Sequence, residues 1–402
     1  MTTYIDFSGY RLFSSKQSMR IAPITVVFGK NNTGKSAILK LPLLLQSALE
    51  DSLKNVFSKT SINDVVLCDE YRDVVYGKAN KSVKLNLTSD EGNQLDFSFI
   101  VDKSESGEWH TIIETWKLTT RDFCMTIKWD YDQSKYIEEG SNHEIVFRGI
   151  IPQNSSKQEM IPDIIHGFYM LTDYIGPIRT SEMKREFRLD AEGVKLYSGK
   201  DGRLNYTYLV KDHLSANSKY FNKVSEWYNN NFEGWKLGVD KSRDPVYSLT
   251  MTLGSMKNNL LDMGEGIVQS LPVIIAICRD YGCPTLLELE EPGTHLHPAA
   301  QGPLAELVAE EVLATPSKKY LIETHSLNFI LRLRSLVASG KLPLEAVELY
   351  YVEFDKDNSS SCLKSVGLKA DGSVERWPEG VFKEAFQEAL NIRNAQIKRN
   401  NL

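Results

Sequence analysis

Residues 24–39 read ITVVFGKNNTGKSAIL, and no other stretch limits the fold of this chain so sharply. Ile24 to Phe28 is mostly apolar and β-branched, which predicts a buried strand. Ser36 to Leu45 is apolar, rich in helix formers and free of glycine, which predicts a helix. Between them stands G-x-x-x-x-G-K-[ST], with Gly29, Gly34, Lys35 and Ser36 in the fixed places. Strand, glycine loop and helix, in that order, make this pattern a phosphate cradle rather than a surface turn. By average composition, a chance match in a chain this long has odds of roughly one in a hundred. The loop from Gly29 through Asn31, Asn32, Thr33 and Gly34 would turn its N–H groups toward phosphate oxygens. The helix start adds partial positive charge there. Lys35 would reach the β- and γ-phosphates, and the Ser36 hydroxyl would ligate Mg²⁺. A nucleoside triphosphate is the expected ligand.

Composition narrows the setting. A chain of 402 residues can bury a large core and accommodate two or three domain-sized units. Its 42% hydrophobic and 25% charged residues are ordinary for a globular protein. No apolar run reaches the ~18–20 residues of a membrane span. The opening MTTYIDFSGYRLF lacks the basic-then-apolar plan of a signal peptide, so a cytoplasmic location is expected. The five cysteines are scattered without metal-ligand spacing, and reduced thiols are expected. A net charge of −6 argues against whole-surface attraction to nucleic acid or membrane, although Lys184 to Arg188 and the tail around Arg393 are locally basic.

The pattern along the chain predicts an α/β P-loop architecture with a mixed central sheet, an antiparallel β subdomain and an inserted helical lobe. Residues 1–60 would form a lobe holding the phosphate loop, with short strands over 4–28. Alternating segments such as VKLNLT, LDFSFIV and TIIETWKLT predict an antiparallel subdomain over 61–175. A helical lobe is expected over 176–245, where Phe221, Val224, Trp227, Tyr228 and Phe232 share a face at helical spacing and predict core packing. From 246 to 402, strand and helix alternate as in a parallel layer, which should share one sheet with the phosphate-loop strand.

A phosphate cradle alone does not hydrolyse anything. Mg²⁺ needs an acid, and the attacking water needs a base. The stretch PTLLELEEPGTHLHP supplies both: Glu290 as metal ligand and Glu291 as general base, at the carboxyl end of a strand where open α/β sheets bind ligands. Glu288 lies within that strand, and an unpaired buried acid is costly, so one face of the strand is expected to be exposed. The next strand, KKYLIETHS, ends on Thr324, His325 and Ser326. His325 can donate one N–H to a γ-phosphate oxygen, whereas Thr324 and Ser326 can equally cap the following helix. His295 and His297 form an H-x-H pair without a third metal ligand at a sensible spacing. In LLDMGEGIVQSLPVIIAI, Gly264 and Gly266 open a second glycine-started helix with free N–H groups. One triphosphate does not need two such ends, but two copies arranged head to tail do.

This set of motifs resembles the ABC-type ATPase heads of the SMC, RecF and overcoming-lysogenization-defect (OLD) lineage, and most of all the small OLD-like ATPases of bacterial antiphage defence operons. The resemblance rests on Gly29 to Ser36, on Gly176-Pro177-Ile178-Arg179, and on Gly264 to Pro272 as the signature. It extends through Glu290-Glu291-Pro292, His295 to Pro298, Glu323 to Ser326 and Trp377-Pro378-Glu379-Gly380. It implies ATP and Mg²⁺ as cofactors, slow regulatory hydrolysis, and a homodimer with ATP sandwiched between Lys35 and Ser36 of one chain and Gly264 and Gly266 of the other. Two departures stand out: the D-loop continues as Pro292-Gly293, and the acid Glu265 sits in the signature. OLD nucleases continue into a Toprim domain after such a head. None follows Gly380 here, so a nuclease or toxin effector is expected on a separate polypeptide. An SMC- or RecF-like ATPase that repairs or tethers DNA is the alternative. A transporter motor would call for an L-S-G-G-Q signature, from which this one departs.

Overall fold

In the computed structural model, described over residues 1–50, 60–78, 81–103, 109–141, 143–179, 184–189, 195–378, 381–382, 390–393 and 396, the phosphate-loop strand Ile24–Gly29 lies inside a six-stranded sheet. Across that sheet the order is Leu171–Ile175, Thr285–Glu290, Lys318–Glu323, Ile24–Gly29, Val347–Asp355 and Ser360–Ser365. The first five strands run parallel, and the last pairs antiparallel with its neighbour. A strand covered on both faces is mostly apolar, and every residue of Ile24–Gly29 is buried. Ile24, Val26 and Phe28 pack in one core with the helices Glu265–Cys278, Pro298–Ala314 and Leu327–Ala338. Val27 packs in the other core, with the helix Lys35–Glu50. The expected union of the phosphate-loop strand with the late α/β layer is therefore present.

The second core is closed by a nine-stranded antiparallel sheet in which neighbouring strands follow chain order from Val83–Ser89 to Ile151–Gln153. Its alternating residues, among them Leu85, Leu87, Phe97, Trp116, Leu118 and Ile127, lie in the same core as the apolar side chains of the helix Lys35–Glu50. The sequence placed most of these strands but missed Lys135–Glu138 and Ile151–Gln153, which are too short to show an alternation. Thr2–Ser8 and Gln17–Arg20 complete the sheet at its other edge, so residues 1–60 divide between two sheets.

Two other expected boundaries move. Leu171–Ile175, assigned to the end of the antiparallel unit, pairs parallel with Thr285–Glu290 and belongs to the ATPase sheet. The helical lobe does not stop at residue 245, because Lys236–Arg243 pairs with Val246–Leu253 across a tight turn, and Met256–Asn259 adds to the same small sheet. The parallel alternation thus begins at the helix Glu265–Cys278 rather than at 246. Within the lobe, Phe221, Val224, Trp227 and Tyr228 of the helix Lys219–Asn231 are buried, as the aromatic stripe predicted. The salt bridge Arg185–Asp262 neutralises part of the basic stretch at 184–188, whereas the acid of that stretch, Glu186, pairs with Arg243. Of the Trp377–Gly380 motif, Glu379 and Gly380 lie outside the described residues, and Trp377 stacks on Phe28 with ring centroids 5.5 Å apart. No described helix is long and apolar enough to cross a membrane.

Candidate nucleotide site

The loop after Ile24–Gly29 has the backbone its glycines permit. A side chain at Gly29 would place Cβ 2.4 Å from the Val352 carbonyl oxygen, so only glycine fits beside the neighbouring strand. Gly34 has φ +98 and Asn32 φ +61, left-handed conformations that glycine and asparagine tolerate best. The Thr33 hydroxyl donates to the Lys30 carbonyl (2.9 Å), and Ser361 Oγ donates to the Thr33 carbonyl (2.7 Å). Asn31 and Asn32 stay exposed, whereas Thr33 and Lys35 are buried.

Acids from adjacent strands converge on the start of the helix Lys35–Glu50. The parallel register pairs Glu290 with Glu323, which sets both at the same carboxyl-terminal level of the sheet. Ser36 Oγ lies 3.0 Å from Glu290 Oε1 and 3.1 Å from Glu323 Oε2. One hydroxyl proton can serve only one carboxylate, so the other must carry a proton or meet a cation. Burial first, and then the neighbouring Glu290, hold the Glu323 carboxyl above its ordinary range. Lys35 Nζ donates to the Lys30 carbonyl (2.8 Å) and stands 3.5 Å from Glu323 Oε1, offsetting part of this negative charge. The Tyr174 hydroxyl donates to Glu290 Oε2. Burial and Glu290 itself raise its pKa, so it remains a donor.

Glu291 begins the loop beyond the strand with φ +48, unusual for a residue carrying a side chain. Its N–H donates to the Glu323 carbonyl (2.9 Å). Burial first, and then Glu323, push its carboxyl up to about 7. Its Oε1 is buried without a hydrogen-bond partner, and His325 Nε2 stands 3.6 Å away. Burial and Lys35 lower the His325 pKa, which keeps the ring neutral with one N–H to give. Ligand atoms of Glu291, Glu323 and His325 lie within 4.8 Å of one another. Hard oxygen donors on Ser36, Glu290 and Glu323, with an orphaned carboxylate oxygen beside them, suit Mg²⁺.

Lys35, Ser36, Glu290, Glu291 and His325 are therefore brought together as expected. Thr324 and Ser326 do act on the helix start: Thr324 Oγ1 accepts from the Ser326 N–H, and Ser326 Oγ accepts from the Phe329 N–H. His297 is also a helix cap, its Nδ1 accepting from the Ala299 N–H (3.2 Å), and it joins no metal cluster among the described residues. Gly264 caps the helix Glu265–Cys278, with open space where a side chain would stand. Gly266 packs against the His295 carbonyl. Tyr174 was missed as a site residue, and Arg179 and Glu323 stood in the motifs of the resemblance without a role assigned to them.

The expectation about Glu288 is overturned. It is fully buried, neither carboxylate oxygen has a hydrogen-bond partner, and burial, Asp173 and Glu290 raise its pKa well above the ordinary value. The strand is not open on that face, and burial there favours the neutral form of the acid.

Comparison with known proteins adds three results. Residues 342–392 match a family described as "Protein of unknown function (DUF3696)". No curated protein matches the chain. Among solved structures, one similar chain is an SMC head bound to the C-winged helix domain of ScpA, with 13% identity, coverage of 92% of this chain and 98% of that one, and a TM-score of 0.44. Another is the SMC head domain from Thermotoga maritima, with 10% identity, coverage of 91% and 99%, and a TM-score of 0.42. A third is the Smc head domain with an extended coiled coil bound to the C-terminal domain of ScpA derived from Pyrococcus furiosus, with 12% identity, coverage of 98% and 99%, and a TM-score of 0.44. These likenesses concern the fold alone, and the functional assignment rests on the geometry of the site.

Proposed function

We propose that this protein is an ABC-type ATPase subunit that binds ATP with Mg²⁺ at Gly29–Ser36 and hydrolyses it when a second copy closes over the nucleotide. The observation that carries this reading is the convergence of Lys35, Ser36, Glu290, Glu291, Glu323 and His325 at the carboxyl ends of three adjacent parallel strands. In this scheme Lys35 leaves the Lys30 carbonyl and Glu323 for the β- and γ-phosphates. Ser36 and Glu290, with Glu323 beside them, would hold Mg²⁺, which when bound would neutralise phosphate charge. Glu291 accepts the proton of the attacking water; a base poised near neutral pH suits that task. His325 donates its N–H toward the γ-phosphate and lies close enough to Glu291 to hold it in line.

The helix start at Gly264 is open to solvent in its own chain, which supports a head-to-tail dimer in which it meets the other copy's triphosphate. Following the resemblance to OLD-like defence ATPases, opening and closing of that dimer would govern a separate effector protein, a nuclease or a toxin. Glu291→Gln tests the scheme: it should lower kcat at least about 100-fold and accumulate an ATP-bound dimer by light scattering. A monomeric variant with wild-type turnover would refute both the base and the sandwich.

A further inference from the structure

Arg179 follows the Gly176-Pro177 corner at the end of Leu171–Ile175 and is 1% exposed. Its Nη2 donates to the carbonyls of Glu290 and Glu291, each at 2.6 Å, and its Nε donates to the Gly176 carbonyl at 2.9 Å. A buried guanidinium spent on main-chain carbonyls is costly, and burial lowers its pKa to about 10. What the arrangement secures is the backbone at Glu291, where φ is left-handed and the carboxylate is aimed into the site. Arg179 also looks the other way. Its backbone N–H donates to Gln269 Oε1 (3.3 Å), and Gln269 Nε2 donates to Glu265 Oε2 (3.1 Å). Glu265 lies between the two signature glycines. A second contact runs in parallel, because Gly266 sits so close to the His295 carbonyl that a Cβ there would be 2.9 Å from its oxygen.

We propose that Arg179 and Gln269 form a positioning relay, Glu265–Gln269–Arg179–Glu291, through which the exposed helix start at Gly264 sets the general base of its own chain. This rests on the ATP-sandwich reading and adds a direction to it: engagement of one chain's signature with the other chain's nucleotide reports back to the first chain's Glu291. The relay explains the departure at Glu265. An acid beside a triphosphate is repelled unless it is turned away, and its hydrogen bond from Gln269 turns it toward the relay. Two bonded side chains and one main-chain N–H connect the surfaces, so a shift of the helix start is transmitted rather than absorbed.

Gln269→Ala is the primary test, since it cuts the relay while leaving Arg179 on the carbonyls. The variant should keep the wild-type melting temperature, ATP affinity and ATP-dependent dimerisation, and lose about 10- to 100-fold in kcat with KM unchanged. Arg179→Lys, which retains charge but not the forked donors, should lower kcat similarly, and the double variant should be no worse than the poorer single one. Wild-type kcat in Gln269→Ala, or additive losses in the double variant, would overturn the relay while leaving the ATPase assignment standing. An unaltered chain that neither dimerises with ATP nor hydrolyses it would overturn that assignment and the relay together.

Discussion

Two helices of this protein start on glycine turns, and their surroundings are opposite. At Lys35–Glu50 the start is enclosed: Thr33 and Lys35 are buried, and Glu290 and Glu323 approach Ser36 from neighbouring strands. At Glu265–Cys278 the first residues, Gly264 and Glu265, are exposed, and only from Ile267 onward is the helix buried. The enclosed turn meets acids supplied by its own chain. The open turn offers N–H groups, and a Cβ built at Gly264 would meet no described atom of its own chain beyond its sequence neighbours within 4 Å. The same local device, a helix N-terminus freed by glycine, is thus an enclosed polar cluster in one place and an exposed surface in the other.

The largest effect should come from the enclosed turn. Lys35→Ala should weaken ATP binding at least about 100-fold, equivalent to about 2.8 kcal/mol, by calorimetry; unchanged affinity would mean the nucleotide sits elsewhere. The open turn should separate binding from turnover. Gly264→Arg places its side chain in open space, whereas any side chain at Gly266 would strike the His295 carbonyl. Gly264→Arg should therefore fold and bind ATP normally, yet turn it over about 100-fold more slowly; full turnover would erase the contrast between the two turns.

The smallest effect concerns stability beneath the enclosed turn, at Glu288. Its folded-state pKa lies above the ordinary 4.5, so the unfolded chain releases a proton that the folded protein retains. Stability from this group is thus fully present below pH 4.5 and declines as pH rises, by about 1.4 kcal/mol per unit until the folded-state pKa is reached. Glu288→Gln should remove that slope and gain about 1.4 kcal/mol relative to the parent between pH 5.5 and 6.5 in urea titrations. A constant difference across that range would show that Glu288 is ionised in the folded protein.

Much of the enclosed turn was legible in the residues because its physics is local. Glycines at positions needing φ > 0 or close approach, a lysine and a serine at a helix start, and an apolar strand before them all lie within 24–39. The roles of Glu323, Tyr174 and Arg179 were not legible, because each comes from pairing between distant segments. Tyr174 reaches Glu290 because Leu171–Ile175 joins the parallel sheet instead of the antiparallel one that precedes it in the chain. Glu288 was misjudged for the same reason: the sequence shows an acid in a strand, but only the packing of Lys35–Glu50 over that face shows that water is excluded.

From the sequence alone came the phosphate loop, the paired acids Glu290 and Glu291, the histidine after the next strand and the second glycine-started helix, since propensity and backbone freedom act over a few residues. The tertiary structure decided which strands lie side by side, which carboxylates share a hydroxyl and which helix start is left uncovered. Those outcomes depend on sheet order and register, which bring residues hundreds of positions apart to within 3 Å, and no local preference encodes such distances.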